Sequence, residues 1–357
     1  MMALNFLVTD RCNITCDFCG PCCGPWYRSH LNAEVMKLIF DRLHSVGLVP
    51  VVVFTGGEPL LYRKDVEETI RHIREVSDTP MRIVTNAFWA RNIKTARTLL
   101  RNLKEAGLTE FNYSVDDFHQ RFIPLSTIKN GIEAAIELGI PVHLAHKTYP
   151  NSKSNRSLYE ETFERQIPIL DQLGPKRRGK ELLTISTGYT LPIGRGSELV
   201  NLERWVPNDL PETQWKGPCK EVLASITISA NGYLSPCCGL VDRNLDAFYV
   251  ASVVEYDVLD ILEYANKTVL YNWLALEGPS AIMEYIMSQD PSLQFLGRYI
   301  QNCQICQELF SDSRKVVIIL DSLERMGKVL SVNRCIYESH RISLQKKLRK
   351  LARSGNT

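Results

Sequence analysis

Apolar residues along the chain fall into two alternating patterns. Short runs that read as strands occur at Leu4–Asp10, Pro50–Gly57, Met81–Asn86, Phe111–Asp116, Val142–Lys147 and Leu182–Gly188. Between them lie stretches of helical period. One begins at the capping residue Asn32 and sets Val35, Leu38, Ile39, Leu43 and Val46 on one face before Gly47. A second aligns Ile93, Ala96, Leu99, Leu100 and Leu103 before Gly107, and a third aligns Ile128, Ile132, Ala135 and Ile136 before Gly139. Glycine just past the last periodic residue is the expected helix stop, because it accepts the left-handed backbone that ends a helix. Strand ends recur about every 30 residues, the length of one βαβ unit. Six such units predict parallel strands with helices outside, as a partial or full barrel or as a doubly wound sheet. In either architecture chemistry belongs at the C-terminal strand ends.

The rhythm fails after about residue 200. A linker from Trp205 to Pro218 leads to Val222–Ser229, the turn Ala230-Asn231-Gly232, and Tyr233–Leu234, together a predicted β-hairpin. Helical patterns follow, with a last helix near Val316–Met326. The expected fold class is therefore α/β: a (β/α)6 body over residues 1–200, as a partial or full TIM-like barrel or a doubly wound sheet, then a smaller α+β domain over 201–335. Residues 336–357, with Lys346, Lys347, Arg349, Lys350 and Arg353, predict a short basic helix or tail.

Composition narrows the class. The 357 residues are 45% hydrophobic and 23% charged, with a formal net charge of +2. That excludes a disordered chain and gives no broad electrostatic case for nucleic acid. No segment reads as membrane-spanning and no signal pattern opens the chain, so a cytoplasmic protein is the default expectation. Eleven cysteines then change the question. In a reducing compartment, clustered cysteines mean metal ligation or redox chemistry more often than disulfides. They form two regions, Cys12 to Cys23 and Cys219 to Cys306, with Cys335 alone and a cysteine-free body between.

The loop after the first strand reads R-C-N-I-T-C-D-F-C-G, a C-x3-C-x2-C spacing over Cys12, Cys16 and Cys19. Three thiolates from one loop suit three irons of a [4Fe–4S] cluster, leaving the fourth iron open. A structural zinc site wants four closed ligands. With Phe18 at the aromatic position, this loop resembles that of the radical S-adenosylmethionine (SAM) superfamily. T-G-G-E-P at Thr55–Pro59 resembles the family's GGE motif, T-N closes the third strand at Thr85–Asn86, and Ser114–His119 resembles its S-x-D-x-x-H pattern. P-I-G-R-G at Pro192–Gly196 resembles a P-x-G-R-A segment. The resemblance implies that Cys12, Cys16 and Cys19 hold the cluster. It implies further that Phe18, Gly56, Gly57, Glu58, Thr85, Asn86, Ser114, Asp116 and Arg195 bind SAM, with Glu58 receiving its ammonium. The implied chemistry is one-electron cleavage of SAM to methionine and a 5′-deoxyadenosyl radical, which abstracts a hydrogen atom from the substrate.

In the second region Cys219, Gly232 and Cys237 give C-x12-G-x4-C, followed by C-x2-C at Cys303 and Cys306. This resembles the twitch and SPASM auxiliary-cluster domains. The position six beyond Cys306 is Asp312, not a further cysteine, so the shorter form with one auxiliary [4Fe–4S] cluster fits better. A structural zinc site remains an alternative reading of these four residues, and Cys237 and Cys238 compete for one ligand position, spacing favouring Cys237. Cys22, Cys23, Cys238 and Cys335 are left as spare thiols or as candidate hydrogen-atom donors to a substrate radical. Of His143 and His146, whichever points inward is a candidate cavity residue, and His119 ends the fourth motif. Trp26, Tyr27, Phe88 and Trp89 are expected to shape the active-site mouth.

Three functions follow. The first is modification of a ribosomally made peptide by crosslinking, epimerisation or oxidation. Cys12 lies too near the start for a fused leader-recognition domain, so a separate recognition protein, or the groove itself, is expected to recognise the leader. The second is dehydrogenation or rearrangement of a small molecule such as a sugar or aminocyclitol. The third is a non-catalytic metal-binding scaffold. Either enzyme needs an electron donor such as flavodoxin or ferredoxin.

Overall fold

The computed structural model describes residues 3–170, 181–198, 210–238 and 245–331. Six strands, β1 (Ala3–Thr9), β2 (Val51–Gly56), β3 (Met81–Thr85), β4 (Glu110–Ser114), β5 (Val142–Thr148) and β6 (Leu183–Tyr189), pair in parallel in chain order. A doubly wound sheet reverses its order at a switch point. This one does not, so the chain winds in one sense as a partial TIM-like barrel.

Alternation along each strand decides the two faces. Leu4, Phe6 and Val8, Val52 and Phe54, Met81 and Ile83, and Phe111 and Tyr113 are all fully buried in the core shared with the helices. The other face is polar. Arg82 pairs with Glu110, and His143 spans Thr184 (Nδ1 to Oγ1, 3.0 Å) and Ser186 (Nε2 to Oγ, 2.7 Å). Three helices follow the predicted stretches, α1 (Ala33–His44), α3 (Ile93–Ala106) and α5 (Leu125–Glu137), and α2 (Arg63–Val76), a four-residue α4 (Asp117–Gln120) and α6 (Arg156–Phe163) are further helices between the strands. Asn32 caps α1, its side chain accepting from the Val35 amide.

The buried face of α1 differs from the predicted one. It consists of Ala33, Met36, Ile39, Phe40 and Leu43, while Leu38 and Val46 are exposed. The helix carries two overlapping apolar stripes, and the sheet takes the one with the bulk of Met36 and Phe40.

The hairpin exists as β7 (Ser225–Ile228) and β8 (Leu234–Ser235), but its first strand pairs in parallel with β1, Ala3 opposite Ser225. It therefore extends the barrel sheet at the edge that β1 would otherwise expose. A second core lies beyond it, built on Trp215, Tyr271, Trp273, Tyr299, Ile305 and Leu309, on helices at Val258–Lys267, Val269–Leu276, Pro279–Gln289 and Asn302–Ser311. Trp215, read as part of a linker, is a core residue set edge-to-face on Tyr299 at 5.3 Å. A last helix runs over residues 313–331. Cys335 and the basic segment 336–357 lie outside the described residues, and among those described no helix is long and apolar enough to cross a membrane.

Candidate active site

The cysteine loop and the motifs at the ends of β2, β3 and β4 meet at one open cavity of about 670 Å³. Its wall is formed by Cys12, Cys16, Cys19 and Cys23 from the loop after β1, with Phe18 beside them. Thr55, Gly56 and Gly57 come from the end of β2, Thr85 and Asn86 from β3, and Ser114 and His119 from β4. Four separate stretches of sequence supply these groups.

The glycines meet the chain's own backbone. A Cβ on Gly56, whose φ is +132°, would sit 2.3 Å from the Thr9 carbonyl oxygen, and one on Gly57 would sit 2.2 Å from that of Arg11. The Gly57 and Glu58 amides donate to those same oxygens at 2.7 and 3.0 Å. The T-G-G-E segment thus clamps the root of the cysteine loop.

Glu58 is fully buried, and the cavity wall does not include it. Its carboxylate accepts from the Leu60 amide (3.2 Å), the Asn86 amide (2.9 Å) and the Thr85 hydroxyl (2.9 Å to each oxygen), tying β2 to β3. Burial pushes its pKa up from 4.5 to about 7, against these hydrogen bonds. A carboxyl raised in the folded state stabilises fully below its unfolded pKa, and that stability is lost as pH rises through the folded value. The apoprotein should therefore lose on the order of 3 kcal/mol between about pH 4.5 and pH 8 through this group. Urea denaturation across that range checks it: Glu58→Gln, which forfeits one amide bond, should be less stable at pH 5 yet flatter with pH. Parallel curves for the two proteins would refute the assignment.

The remaining motif residues divide between wall and support. The Asn86 side chain donates to Asn13 Oδ1 (2.9 Å) and to Cys12 Sγ (3.8 Å). Asp116 is buried and stands behind the wall, capping α4 through the Phe118 and His119 amides and holding His119 Nδ1 at 2.8 Å. Burial opposes charging of His119, but Asp116 and Cys16 together raise its pKa well above 6.5. Arg195 also stands behind the wall. Its guanidinium donates to the carbonyls of Cys16 (2.7 Å) and Cys23 (2.5 Å), and its amide donates to that of Cys19 (3.2 Å). Gly194 permits this approach, since a Cβ there would lie 2.1 Å from the Gly20 oxygen.

The three loop thiols differ. Burial pushes Cys12 up to about 12, whereas Cys19 is lowered to about 7 by a hydrogen bond from Cys23 and by the charges of Arg195 and His119. Among the described residues no three His, Cys, Asp or Glu side chains gather as ligands of one ion. All three thiols come from one loop and line the cavity wall, a donor set for three irons of a cubane. That donor set fits a [4Fe–4S] cluster.

Cys219, Cys237, Cys303 and Cys306 also come together, embedded in or packed against the second core. Burial raises the Cys303 and Cys306 thiols, and the electrostatic neighbours of Cys306 are Cys303, Cys219 and Cys237. Cys238 is exposed, its thiol directed at Glu221 Oε2 (3.8 Å). Of the other spare thiols, Cys23 lines the cavity, while Cys22 adopts a left-handed backbone (φ 55°) beside it.

Several expected mouth residues lie elsewhere. Trp89 is buried, donating to Thr85 Oγ1 (3.2 Å), and Phe88 and Trp89 line a separate cleft with Leu60 and Tyr62. Trp26 is 57% exposed, below the Arg195 guanidinium. His143 faces the barrel interior but is engaged by Thr184 and Ser186, and His146 is held by Thr187 and Ser154. Thr55 and Asn13 were missed by the sequence reading; the position of Thr55 next to the glycine pair was the available signal.

Residues 6–151 match the family model described as the Radical SAM superfamily. The chain is 29% identical over 271 residues to a GTP 3′,8-cyclase of Streptomyces coelicolor, covering 67% of this chain and 73% of that one. It is 36% identical over 155 residues to the GTP 3′,8-cyclase of Listeria welshimeri, 40% of this chain and less than half (44%) of that protein's length. A putative peptide biosynthesis protein, YydG of Bacillus subtilis, is 25% identical over 323 residues, 88% of this chain and 94% of that one. Among solved structures, anSMEcpe with bound AdoMet and Cp18Cys peptide is 12% identical with a TM-score of 0.47, covering 92% of this chain and 99% of that one.

Proposed function

We propose that this chain, whose residues 6–151 match the Radical SAM superfamily model, is a radical SAM enzyme that modifies a ribosomally made peptide, with Cys12, Cys16 and Cys19 holding the catalytic [4Fe–4S] cluster. The observation that carries this reading is the convergence of those cysteines with the ends of β2, β3 and β4 on one cavity. When bound, the cluster and SAM supply a 5′-deoxyadenosyl radical able to abstract hydrogen from unactivated carbon. The chain's own part is to hold and shield. Arg195 and the glycine pair fix the cysteine loop, Asn86 donates to Cys12, and Thr55, Ser114 and His119 present polar atoms to SAM from the strand ends. Phe18, tilted against Phe118 at 4.6 Å, closes one side of the cavity with apolar surface.

A peptide substrate is favoured by the match to the Bacillus peptide biosynthesis protein, which runs through the second cysteine group. The cyclase matches support a second reading, a small-molecule substrate. Anaerobic reconstitution followed by iron and deoxyadenosine measurement under dithionite tests the chemistry. Deoxyadenosine release stimulated by candidate precursor peptides, and not by GTP, separates the substrates; stimulation by GTP alone would reverse the assignment.

Cys219, Cys237, Cys303 and Cys306 are assigned to an auxiliary [4Fe–4S] cluster. Cys303→Ala/Cys306→Ala is expected to lose about four of about eight irons per chain while still releasing deoxyadenosine. Unchanged iron, or zinc in its place, would reduce this group to a structural site. Cys22 and Cys23 beside the cavity and Cys238 on the exposed side are the hydrogen-donor candidates in the described residues. Solvent deuterium appearing in the product, and lost in only one of the three alanine variants, would identify the donor.

A further inference from the structure

The loop that carries Cys12, Cys16 and Cys19 is bordered by cations without counter-ions. Arg11, Arg28, Arg63 and Lys64 are all exposed, and among the described residues none of the four has a carboxylate partner. They stand on three segments that touch. Arg11 bridges Gly24, its carbonyl accepts from the Glu58 amide (3.0 Å), Tyr62 Oη donates to the Arg28 carbonyl (3.3 Å), and the His30 ring stacks on Tyr62 at 4.1 Å. The Arg28 guanidinium donates only to the carbonyls of Pro25 and Tyr27, so its charge stays uncompensated. Nearby acids are committed: Asp65 accepts from the Ala33 amide, Glu34 and Glu68 share Lys37, and Asp17 pairs with Arg121. In a chain whose formal net charge is only +2, four unpaired cations on one rim form a local positive field.

We propose that this rim is the docking surface for an acidic one-electron carrier protein. The inference rests on the cluster assignment above and adds where the electron enters. Arg11 directly precedes Cys12, so a carrier seated on these side chains would lie against the cysteine loop. One electron leaves the reduced carrier for the oxidised cluster, and no bond forms or breaks. A positive rim steers a negatively charged partner and speeds its encounter more than it tightens the final complex.

The experiment uses the reconstituted protein and a strongly acidic flavodoxin as probe. Cluster reduction by the flavodoxin hydroquinone is followed by stopped-flow absorbance, and binding of oxidised flavodoxin by fluorescence anisotropy. For the variant R11E/R28E/R63E/K64E the bimolecular rate is expected to fall at least about tenfold at low salt, with a flattened salt dependence. Reduction and deoxyadenosine release driven by dithionite should stay at the wild-type rate. Because Arg28 braces its own turn, the milder R63E/K64E variant provides a second reading that does not depend on that turn. A flavodoxin rate unchanged in both variants would overturn the proposal. So would an equal loss with dithionite, which would mean that the rim serves an anionic substrate instead. A wild-type protein that takes up no iron–sulfur chromophore would defeat the cluster assignment; salt-dependent anisotropy lost in the variants would still support the docking face.

Discussion

Replacing Cys12, Cys16 and Cys19 together by alanine is expected to abolish deoxyadenosine release, by at least about a thousandfold, and to remove about four irons per chain. The size of the effect follows from division of labour. Every bond-breaking event is assigned to a group these three thiols hold, and no side chain of the cavity wall can generate a carbon radical in its place. The fold should survive. Cys16 and Cys19 are only half-buried, and the sheet beneath them is held by fully buried strand residues such as Phe6, Phe54 and Ile83 that the substitutions leave in place. Circular dichroism and the urea midpoint of the apoprotein are therefore expected to change little, within about 2 kcal/mol. Retained iron in the triple variant, at the wild-type count, would sink the assignment. Loss of iron without loss of deoxyadenosine would do so equally, since it would move the reaction to another centre.

The strands were legible because each has one face buried against helices, so period-two patterning and length agree with the paired register to within about a residue. The helix stops at Gly107 and Gly139 were legible for a local reason as well, the positive φ both glycines adopt. What escaped the sequence depends on distant partners. Gly56 and Gly57 suggested close approach to a ligand, and the structure adds the backbone of Thr9 and Arg11 from another strand as what they approach. Glu58 and Asp116 carry the expectation of reaching SAM, and the structure adds that each carboxylate accepts from amides and from a hydroxyl or imidazole. Arg195 stands about 180 positions from the loop it braces. A motif marks which residues belong to a site; only the chain path tells which touch the ligand and which hold those that do. The pairing of β7 with β1 was hidden for the same reason, since nothing in the hairpin's own pattern names its neighbour. In the second cysteine group, spacing favours Cys237 over Cys238; Cys237 is buried and Cys238 exposed, and both act electrostatically on Cys303.

Gly56→Ala is expected to destabilise the chain strongly. Two costs fall on the same atom. The backbone there has φ of +132°, outside the range an L side chain adopts comfortably, and the added methyl would overlap the Thr9 carbonyl oxygen at 2.3 Å. That oxygen cannot retreat cheaply, because it accepts the Gly57 amide at 2.7 Å and belongs to the last residue of β1. Relief would require parting β1 from β2 where their register already shifts between Leu7 and Thr9. Strain and lost pairing together predict a destabilisation of about 3 kcal/mol or more. The contrasting substitution is Gly47→Ala, which also carries a positive φ (+73°) but meets no atom within 4 Å. It bears the conformational cost alone, about 1 kcal/mol. Urea midpoints of the two apoproteins, compared with wild type, separate the terms. Equal losses at both positions would show that backbone strain, and not the clamp on the cysteine loop, is what Gly56 provides. A much larger loss at Gly56, with poorer iron uptake after reconstitution, would establish that the same glycine that joins β1 to β2 also sets the loop in which Cys12 stands.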